Sequence, residues 1–220
     1  MYDKMCQWLI EGWPFAFSRF GDGEWSCVLG EMGANADGVE YSPSLARRLR
    51  DILKQPQETS YLFGMQNKAQ RDMGPRINRW MAENNVTKQW IDADIFHDAS
   101  ERVLLKEFFD SLCDRRVIVV GPYWLIHMKR FINYAHHIIV PQGQAWRTYF
   151  DILDATENVT GKDDVVLVSA GMAGKVLVDD LWENDSTILD MGSVFDVYCG
   201  GRCTRRYHHK VLAKLARRDK

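Results

Sequence analysis

The chain has 220 residues, 46% hydrophobic and 26% charged, and its 28 Lys and Arg nearly balance 30 Asp and Glu for a net charge of −2. This composition is typical of a soluble protein with a sizeable core, and no apolar run approaches the ~20 residues that a membrane span needs. The first residues, MYDKMCQWLIEGW, lack a signal-peptide pattern, and five scattered Cys fit a reducing compartment better than a disulfide scaffold. A cytoplasmic protein is therefore expected.

Two strands and several helices are predicted in the N-terminal half. The strands are PFAFSRF at 14–20 and TSYLFGMQ at 59–66. Between them, SPSLARRLRDILKQP is typical of a helix that Ser42 caps. The segment 67–85 contains Gly and Pro and predicts a broken helix. After it, DIF predicts a further strand, and Asp98 fits the cap of the helix that follows.

The C-terminal half alternates apolar strands with helical patterns. The predicted strands are RRVIVVGP, HHIIVP, DDVVLVSAG and STILDMGS, at 115–122, 136–141, 163–171 and 186–193. Fully apolar strands separated by helices indicate a parallel sheet that is covered on both faces. We therefore expect one α/β domain over 1–220, with a Rossmann-like, doubly wound, mainly parallel sheet and a basic C-terminal helix at about 203–218.

Within the stretch RFGDGE, the residues GDGE directly follow the first strand, at the edge of the sheet where ligands bind in such folds. In an extended chain, residues two apart point the same way, so Asp22 and Glu24 are expected to present two carboxylates to one spot. Gly21 and Gly23 permit a close approach by a ligand. A hard divalent cation, Mn²⁺ or Mg²⁺, suits such oxygens, and Arg19 suits phosphate. A surface turn with solvated acids is the alternative.

A second candidate site is the Gly-rich turn of VLVSAGMAGKVLVDDL, where a strand ends and a helix begins. Backbone N–H groups at such a helix start are suited to hold a diphosphate. The turn is not a Walker A loop, because Ser169 stands where that motif needs Gly and Val176 where it needs Ser or Thr. A tight turn with closely packed Gly is the alternative, and it explains Gly174 well.

The last candidate segment is LDMGSVFD, 189–196, which follows the final predicted strand. Asp190 and Ser193 are expected to face the same crevice, and Asp196 is a candidate base or ligand. A capping or turn role is the alternative for each of them.

These three segments, in this order and spacing, resemble the GT-D class of nucleotide-sugar glycosyltransferases, and the resemblance covers most of the chain. It implies metal-dependent transfer of a sugar from a nucleotide diphosphate donor, a UDP-sugar above others, to an acceptor hydroxyl. It places Mn²⁺ or Mg²⁺ on Asp22 and Glu24. The residues expected around the nucleotide are Arg19, Gly21, Gly23, Gly121, Gly171, Gly174, Lys175, Asp190 and Ser193. A His is expected in this family after the Asp-x-Gly of the last motif, whereas this chain has Ser193.

The acceptor hydroxyl needs a base, for which His97, Asp98 and Asp196 are the candidates. A saccharide or glycoconjugate is the acceptor that the resemblance implies. The tail from Arg202 to Lys220 carries eight basic residues and one Asp, so a hydroxylated base in DNA is the alternative acceptor. A nucleotide-binding module without catalysis, which Ser193 favours, and a metal-dependent phosphohydrolase are the alternative functions.

Two other features have simpler interpretations. A zinc site is not expected, because the spacing of its candidate ligands fits no common structural site: Cys199, Cys203, His208 and His209. The chain has eight Trp, most of which are expected in the core. Trp124 and Trp146 are the candidates to stack on a sugar or a nucleobase.

Overall fold

The computed structural model describes residues 1–34, 38, 40–182, 185–200 and 205–218. Within this part of the chain, seven strands form one parallel sheet in the order β3-β2-β1-β7-β6-β4-β5. The strands are β1 Ala16–Phe20, β2 Tyr61–Met65, β3 Trp90–Asp92, β4 Val117–Gly121, β5 His136–Ile139, β6 Val165–Val168 and β7 Thr187–Asp190. In the described residues, no helix combines the length and the apolar character that crossing a membrane requires.

Helices cover both faces of the sheet, which confirms the predicted fold class. One face packs against α2 Asp22–Val28, α3 Pro43–Lys54, α4 Asn67–Glu83, α7 Tyr149–Glu157 and α8 Ala173–Leu181. The other packs against α1 Tyr2–Glu11, α5 Ile95–Arg102, α6 Leu105–Asp110, a 3₁₀ helix at Tyr123–Arg130 and α9 Asp196–Cys199. The basic helix α10, Arg206–Arg218, packs against α5 and α9; residues 203 and 204 of its predicted start lie outside the described part.

Alternation along the central strands explains why two cores form. Side chains two apart point to one face, so Phe17 packs into the core beneath α1, α5 and α6, whereas Ala16 and Phe20 pack into the core beneath α2, α3 and α8. Val119 and Val120 divide in the same way on β4. Burial of each large apolar side chain contributes about 1.5–3 kcal/mol to the free energy of folding. Strands that are apolar on both sides therefore favour a sheet with helices on both faces.

Two local predictions in the N-terminal half are wrong. The helix expected to break at Pro75 runs without interruption as α4. Pro75 lies on the exposed side of α4, where the carbonyl that loses its N–H partner can bond to water. Asp98 does not cap α5; it lies inside that helix, and Asp94 holds the N-cap position because the preceding strand ends at Asp92, before DIF.

The most consequential difference concerns RFGDGE, which was expected to be extended. The strand ends at Phe20, Gly21 is the N-cap, and Asp22 already begins α2. Asp22 and Glu24 are therefore two residues apart on a helix, roughly 200° around its axis, and do not point the same way. The prediction that both carboxylates face one point from an extended segment is wrong, because Glu24 folds back onto the Gly21 N–H at 2.9 Å and closes the helix start.

Ser42 caps α3 as the sequence predicted. Its hydroxyl accepts a hydrogen bond from the Leu45 N–H at 3.2 Å. Ser42→Ala is expected to lower the free energy of unfolding by about 1 kcal/mol, because that N–H loses its partner. Urea unfolding measures the change. Ser42→Asn, which keeps an acceptor at the cap, should stay close to wild type, and an equal loss in both variants would contradict the capping role.

Candidate functional site

A cleft of about 840 Å³ opens at the carboxyl ends of the strands. This is where ligands bind in parallel α/β sheets. Of the residues predicted from sequence, it is lined by Arg19, Gly21, Asp22, Gly23, Glu24, His97, Gly171, Lys175, Ser193 and Asp196. Segments that are far apart in the chain meet here because parallel strands bring all their carboxyl ends to one edge. The predicted residues Gly121, Gly174 and Asp190 do not line the cleft and lie just beneath it.

The two buried glycines have a packing reason for being Gly. A Cβ on Gly121 would stand 2.6 Å from Leu125 Cδ1, and one on Gly174 would stand 3.2 Å from Val168 Cγ1. Both positions therefore let helix and strand approach closely. Contact with a nucleotide stays a prediction for these two residues.

The ammonium of Lys175 lies at the centre of the site. It donates to Glu24 Oε1 at 2.8 Å, to Asp190 Oδ2 at 3.0 Å and to the carbonyl of Gly171 at 3.1 Å. A lysine ammonium has three N–H donors, so these three oxygens satisfy it completely. The side chains of Lys175, Glu24 and Asp190 are 5%, 12% and 0% exposed, so this ion-pair cluster is shielded from water.

The electrostatics keep Glu24 and Lys175 charged. Burial alone would raise the pKa of Glu24, but the nearby Lys175 ammonium and the Gly21 N–H outweigh it and lower that pKa. Burial likewise opposes the charge on Lys175, but Asp190 and Glu24 outweigh it and raise the pKa of the ammonium. Glu24 is thus an anion whose two oxygens already accept hydrogen bonds from the protein.

Arg19 is fixed beside this cluster, at the penultimate position of β1, where the strand reaches the cleft. Its Nε donates to the carbonyl of Ala93 at 2.7 Å, and its Nη2 lies 2.7 Å from His97 Nδ1. Its backbone N–H donates to Asp190 Oδ2 at 3.2 Å. Within the described part of the chain, Nη1 has no hydrogen-bond acceptor from the protein. The structure therefore holds a guanidinium rigidly with one nitrogen left for a ligand.

The contact with Arg19 determines the state of His97. A guanidinium only donates, so Nδ1 of the ring must accept, and the neutral ring carries its proton on Nε2. Burial, and then the positive charge of Arg19, lower the pKa of His97 well below its ordinary value. A neutral imidazole whose accepting nitrogen is occupied by Arg19 is poorly suited to take a proton from a substrate.

Gly192 determines how closely the β7–α9 turn approaches Arg19. Its φ is +56°, and a Cβ there would collide with Arg19 Nη1. Gly192→Ala is expected to lower the free energy of unfolding by more than the ~1–2 kcal/mol that backbone strain alone costs, and to displace the guanidinium. Gly200→Ala is the matched control, because its φ is +73° and a Cβ there meets none of the described residues within 4 Å. Urea unfolding of both variants measures the difference; equal losses would mean that Arg19 moves aside freely.

Asp22 lies at the mouth of the cleft with a more exposed carboxylate. Its side chain is 47% exposed and pairs with Lys68, which is 55% exposed, while Oδ1 accepts from the Gly23 N–H at 3.0 Å. Burial acts to raise the pKa of Asp22, but Lys68 and the Gly23 N–H lower it overall, so it is ionised at neutral pH. The exposed ion pair with a flexible lysine exchanges readily, so Asp22 fits a hard cation that keeps waters and phosphate as its other ligands.

Asp196 is half-buried on the opposite side of the cleft. Its Oδ1 accepts a hydrogen bond from the Trp124 indole N–H at 2.8 Å, which orients the carboxylate. Trp124 also lines the cleft, as predicted, whereas Trp146 does not. Asp196 and Trp124 therefore form one wall of the cleft.

Ser193, which stands where the related family is expected to have His, is held by α10. Its hydroxyl lies 3.0 Å from the hydroxyl of Tyr207, and its carbonyl lies 3.1 Å from His208 Nε2. The Tyr207 ring in turn contacts the edge of the His97 ring. The structure thus uses Ser193 to attach the basic helix to the cleft.

Several site residues were missed by the sequence reasoning. They are Lys68, Asp94, Tyr207 and Lys210, which all line the cleft. Lys68 and Asp94 follow the ends of β2 and β3, so the rule that ligands bind at strand ends would have selected them. In the described residues no group of three or more His, Cys, Asp and Glu is arranged to hold a metal; the fourth zinc candidate, Cys203, lies outside that part.

Comparison with known proteins identifies similar folds. Residues 125–211 match the family described as glycosyltransferase GT-D fold, a span that contains two of the three motifs and not RFGDGE. The structure is similar to that of a new glycosyltransferase (DUF1792) from Streptococcus sanguinis, with a TM-score of 0.68 and 18% identity over 91% of this chain and 84% of that one.

A second solved structure shares the fold. It is described as the highly conserved domain of unknown function 1792 with a distinct glycosyltransferase fold, and it has a TM-score of 0.64 and 19% identity over 91% of this chain and 81% of that one. No curated protein shows significant sequence similarity to the chain. The match of residues 125–211 supports the predicted enzyme class. The chain therefore has the GT-D glycosyltransferase fold, as the sequence resemblance predicted.

Proposed function

We propose that this protein transfers a sugar from a nucleotide diphosphate donor, a UDP-sugar above others, to an acceptor hydroxyl. The observation that carries the proposal is the immobilised Arg19, whose Nη1 has no acceptor from the described residues and lies against Gly192 in the wall of the cleft. The diphosphate leaves with negative charge, and a fixed guanidinium stabilises that charge without reorganising. The GT-D fold around this group supports the same reaction.

A divalent ion, Mn²⁺ or Mg²⁺, would be held at the mouth of the cleft by Asp22, whose exposed carboxylate fits one. When bound, such an ion neutralises charge on the diphosphate oxygens. Each oxygen of Glu24, the second predicted ligand, already accepts a hydrogen bond, one from Lys175 and the other from the Gly21 N–H. Its part in ion binding stays a prediction that this arrangement does not favour.

Asp196 is the proposed base. An ionised carboxylate only accepts hydrogen bonds, and Trp124 orients this one in the wall of the cleft. His97 is less suited, because it accepts from Arg19 and has a strongly lowered pKa. We assign to His97 the role of holding Arg19 in place. Asp98 also lines the cleft and is the second candidate.

The acceptor is proposed to be a saccharide or glycoconjugate. The wall opposite Asp22 combines the indole of Trp124, the ring of Tyr207 and polar groups of α5, a mixture that suits a sugar. A hydroxylated base in DNA is the alternative acceptor, favoured by Arg205 and Lys210 at the rim. Lys210 already pairs with Glu101 at 2.8 Å, which weakens the case for DNA.

The test is nucleotide release from a panel of nucleotide sugars with Mn²⁺, with saccharides, glycopeptides and hydroxymethylated DNA as acceptors. Arg19→Met is expected to lower kcat/KM by about 10²–10³-fold, since one charge-stabilising donor group is lost. Arg79→Met, on the exposed side of α4, is the matched control and should stay near wild type. Nucleotide binding without turnover would identify a binding module instead, and release of free sugar or phosphate without an acceptor product would identify a hydrolase.

A further inference from the structure

Three protein oxygens surround the Lys175 ammonium as oxygens surround a bound metal ion. Two belong to carboxylates, Glu24 Oε1 and Asp190 Oδ2, and the third is the carbonyl of Gly171. They come from three separate elements, the start of α2, the end of β7 and the turn before α8. Carboxylate and carbonyl oxygens of this kind are ligands that hard cations prefer.

These three oxygens form a cage around the ammonium, and backbone N–H groups hold its two carboxylates in place. The second oxygen of each carboxylate is fixed by a backbone N–H: Glu24 Oε2 by Gly21 at 2.9 Å and Asp190 Oδ1 by Gly192 at 3.1 Å. A Cβ on Gly21 would stand 3.2 Å from Glu24 Oε2 and 2.9 Å from Gln66 Oε1, so a side chain there would press on the oxygen that the Gly21 N–H fixes. Two fixed anions this deeply buried require a positive charge between them.

We propose that Lys175 is the resident cation of this cage, and that its ammonium takes the place a divalent ion would otherwise have at Glu24. Lys175 is then a positioning residue. It joins α2, β7 and the Gly-rich turn beneath the cleft, while a divalent ion is bound from Asp22 alone. The acid-x-acid motif is thereby divided: its first acid faces ligands and its second acid holds an internal lysine.

The proposal concerns the same cleft as the proposed sugar transfer, but its test uses Mn²⁺ alone, without a donor, so the two can fail separately. Free Mn²⁺ is followed by electron paramagnetic resonance in the presence of each variant. Glu24→Gln is expected to bind Mn²⁺ within about twofold of wild type, because Glu24 is not a ligand. Asp22→Asn is expected to lose at least tenfold in affinity.

Removal of the lysine should open the cage. Lys175→Ala takes away the ammonium and leaves space, so Mn²⁺ should bind at least tenfold more tightly than to wild type and should raise the melting temperature of this variant more than that of wild type. Lys175→Met also loses the charge but fills the space with a methyl group, and it should show no gain. The double variant Lys175→Ala/Glu24→Gln should lose the gain, because one of the two carboxylates is gone.

Two results would overturn the proposal. One is a tenfold or larger loss of Mn²⁺ affinity in Glu24→Gln with Lys175 intact, which would make Glu24 a ligand of the ion in the wild type. The other is a folded Lys175→Ala that binds Mn²⁺ no more tightly than wild type. The Glu24→Gln measurement needs no change at Lys175, so it decides the question even if Lys175→Ala does not fold.

Discussion

Asp196→Asn is expected to lower kcat for sugar transfer by about 10²–10⁴-fold, while nucleotide affinity stays close to wild type. The carboxylate of Asp196 is oriented by the Trp124 indole at 2.8 Å and lines the cleft opposite Asp22. Asn keeps an oxygen that accepts the indole N–H, but its amide cannot take a proton from the acceptor hydroxyl. Initial rates of acceptor glycosylation, with nucleotide binding measured by calorimetry, separate the two effects.

Asp154→Asn is the matched control for this prediction. Asp154 lies on the exposed side of α7, away from the cleft, so its substitution should leave kcat unchanged. If Asp196→Asn kept the full kcat while Asp98→Asn lost most of it, the base would be Asp98 on α5 and not Asp196 on α9.

Lys175→Met is expected to lower the free energy of unfolding by about 3–5 kcal/mol. Removal of the Lys175 ammonium leaves two buried carboxylates, Glu24 and Asp190, close together without a compensating charge. Domains of this kind have about 5–15 kcal/mol of stability in total, so a large part of it depends on one side chain. Urea unfolding at low temperature measures the loss as a fall in the midpoint with an unchanged slope.

Lys68→Met provides the comparison, since it removes the ammonium that pairs with the other acid of the motif. The Asp22–Lys68 pair is about half exposed, and pairs of this kind contribute about 0–1 kcal/mol. The double variant Lys175→Met/Glu24→Gln should regain part of the stability that Lys175→Met loses, because one buried charge is gone. Equal losses in Lys175→Met and Lys68→Met would show that the buried cluster is worth no more than a surface pair.

Much of the fold could be predicted from the sequence because its physical cause is local. The run VIVV on β4 and the run VVLV on β6 are apolar at every position, and short β-branched runs of this kind are typical of strands covered on both faces. Ser42 before Pro43 likewise predicts where α3 begins, since a hydroxyl at that position satisfies a backbone N–H of the first turn.

Local patterns failed where two conformations compete for the same residues. Gly21 permits either an extended chain or a helix start, and only the packing of Trp25 and Val28 into the core makes α2 the lower-energy choice. Pro75 favours a break in an isolated helix. The apolar side of α4 nevertheless packs against the sheet both before Pro75, at Met73, and after it, at Ile77. Tertiary burial outweighs local propensity at both places.

The sequence by itself determined the class of fold, the edge of the sheet where the cleft opens, and the presence there of Arg19, Asp22, Glu24 and Lys175. These follow from apolar periodicity and from the position of each motif after a strand. Only the tertiary structure decided that Glu24 is buried in an ion pair with Lys175 while Asp22 stays half exposed and pairs with Lys68. The physical reason is that an ion pair depends on which strands become neighbours and on how far each side chain is removed from water, and neither is encoded in the spacing of two acids.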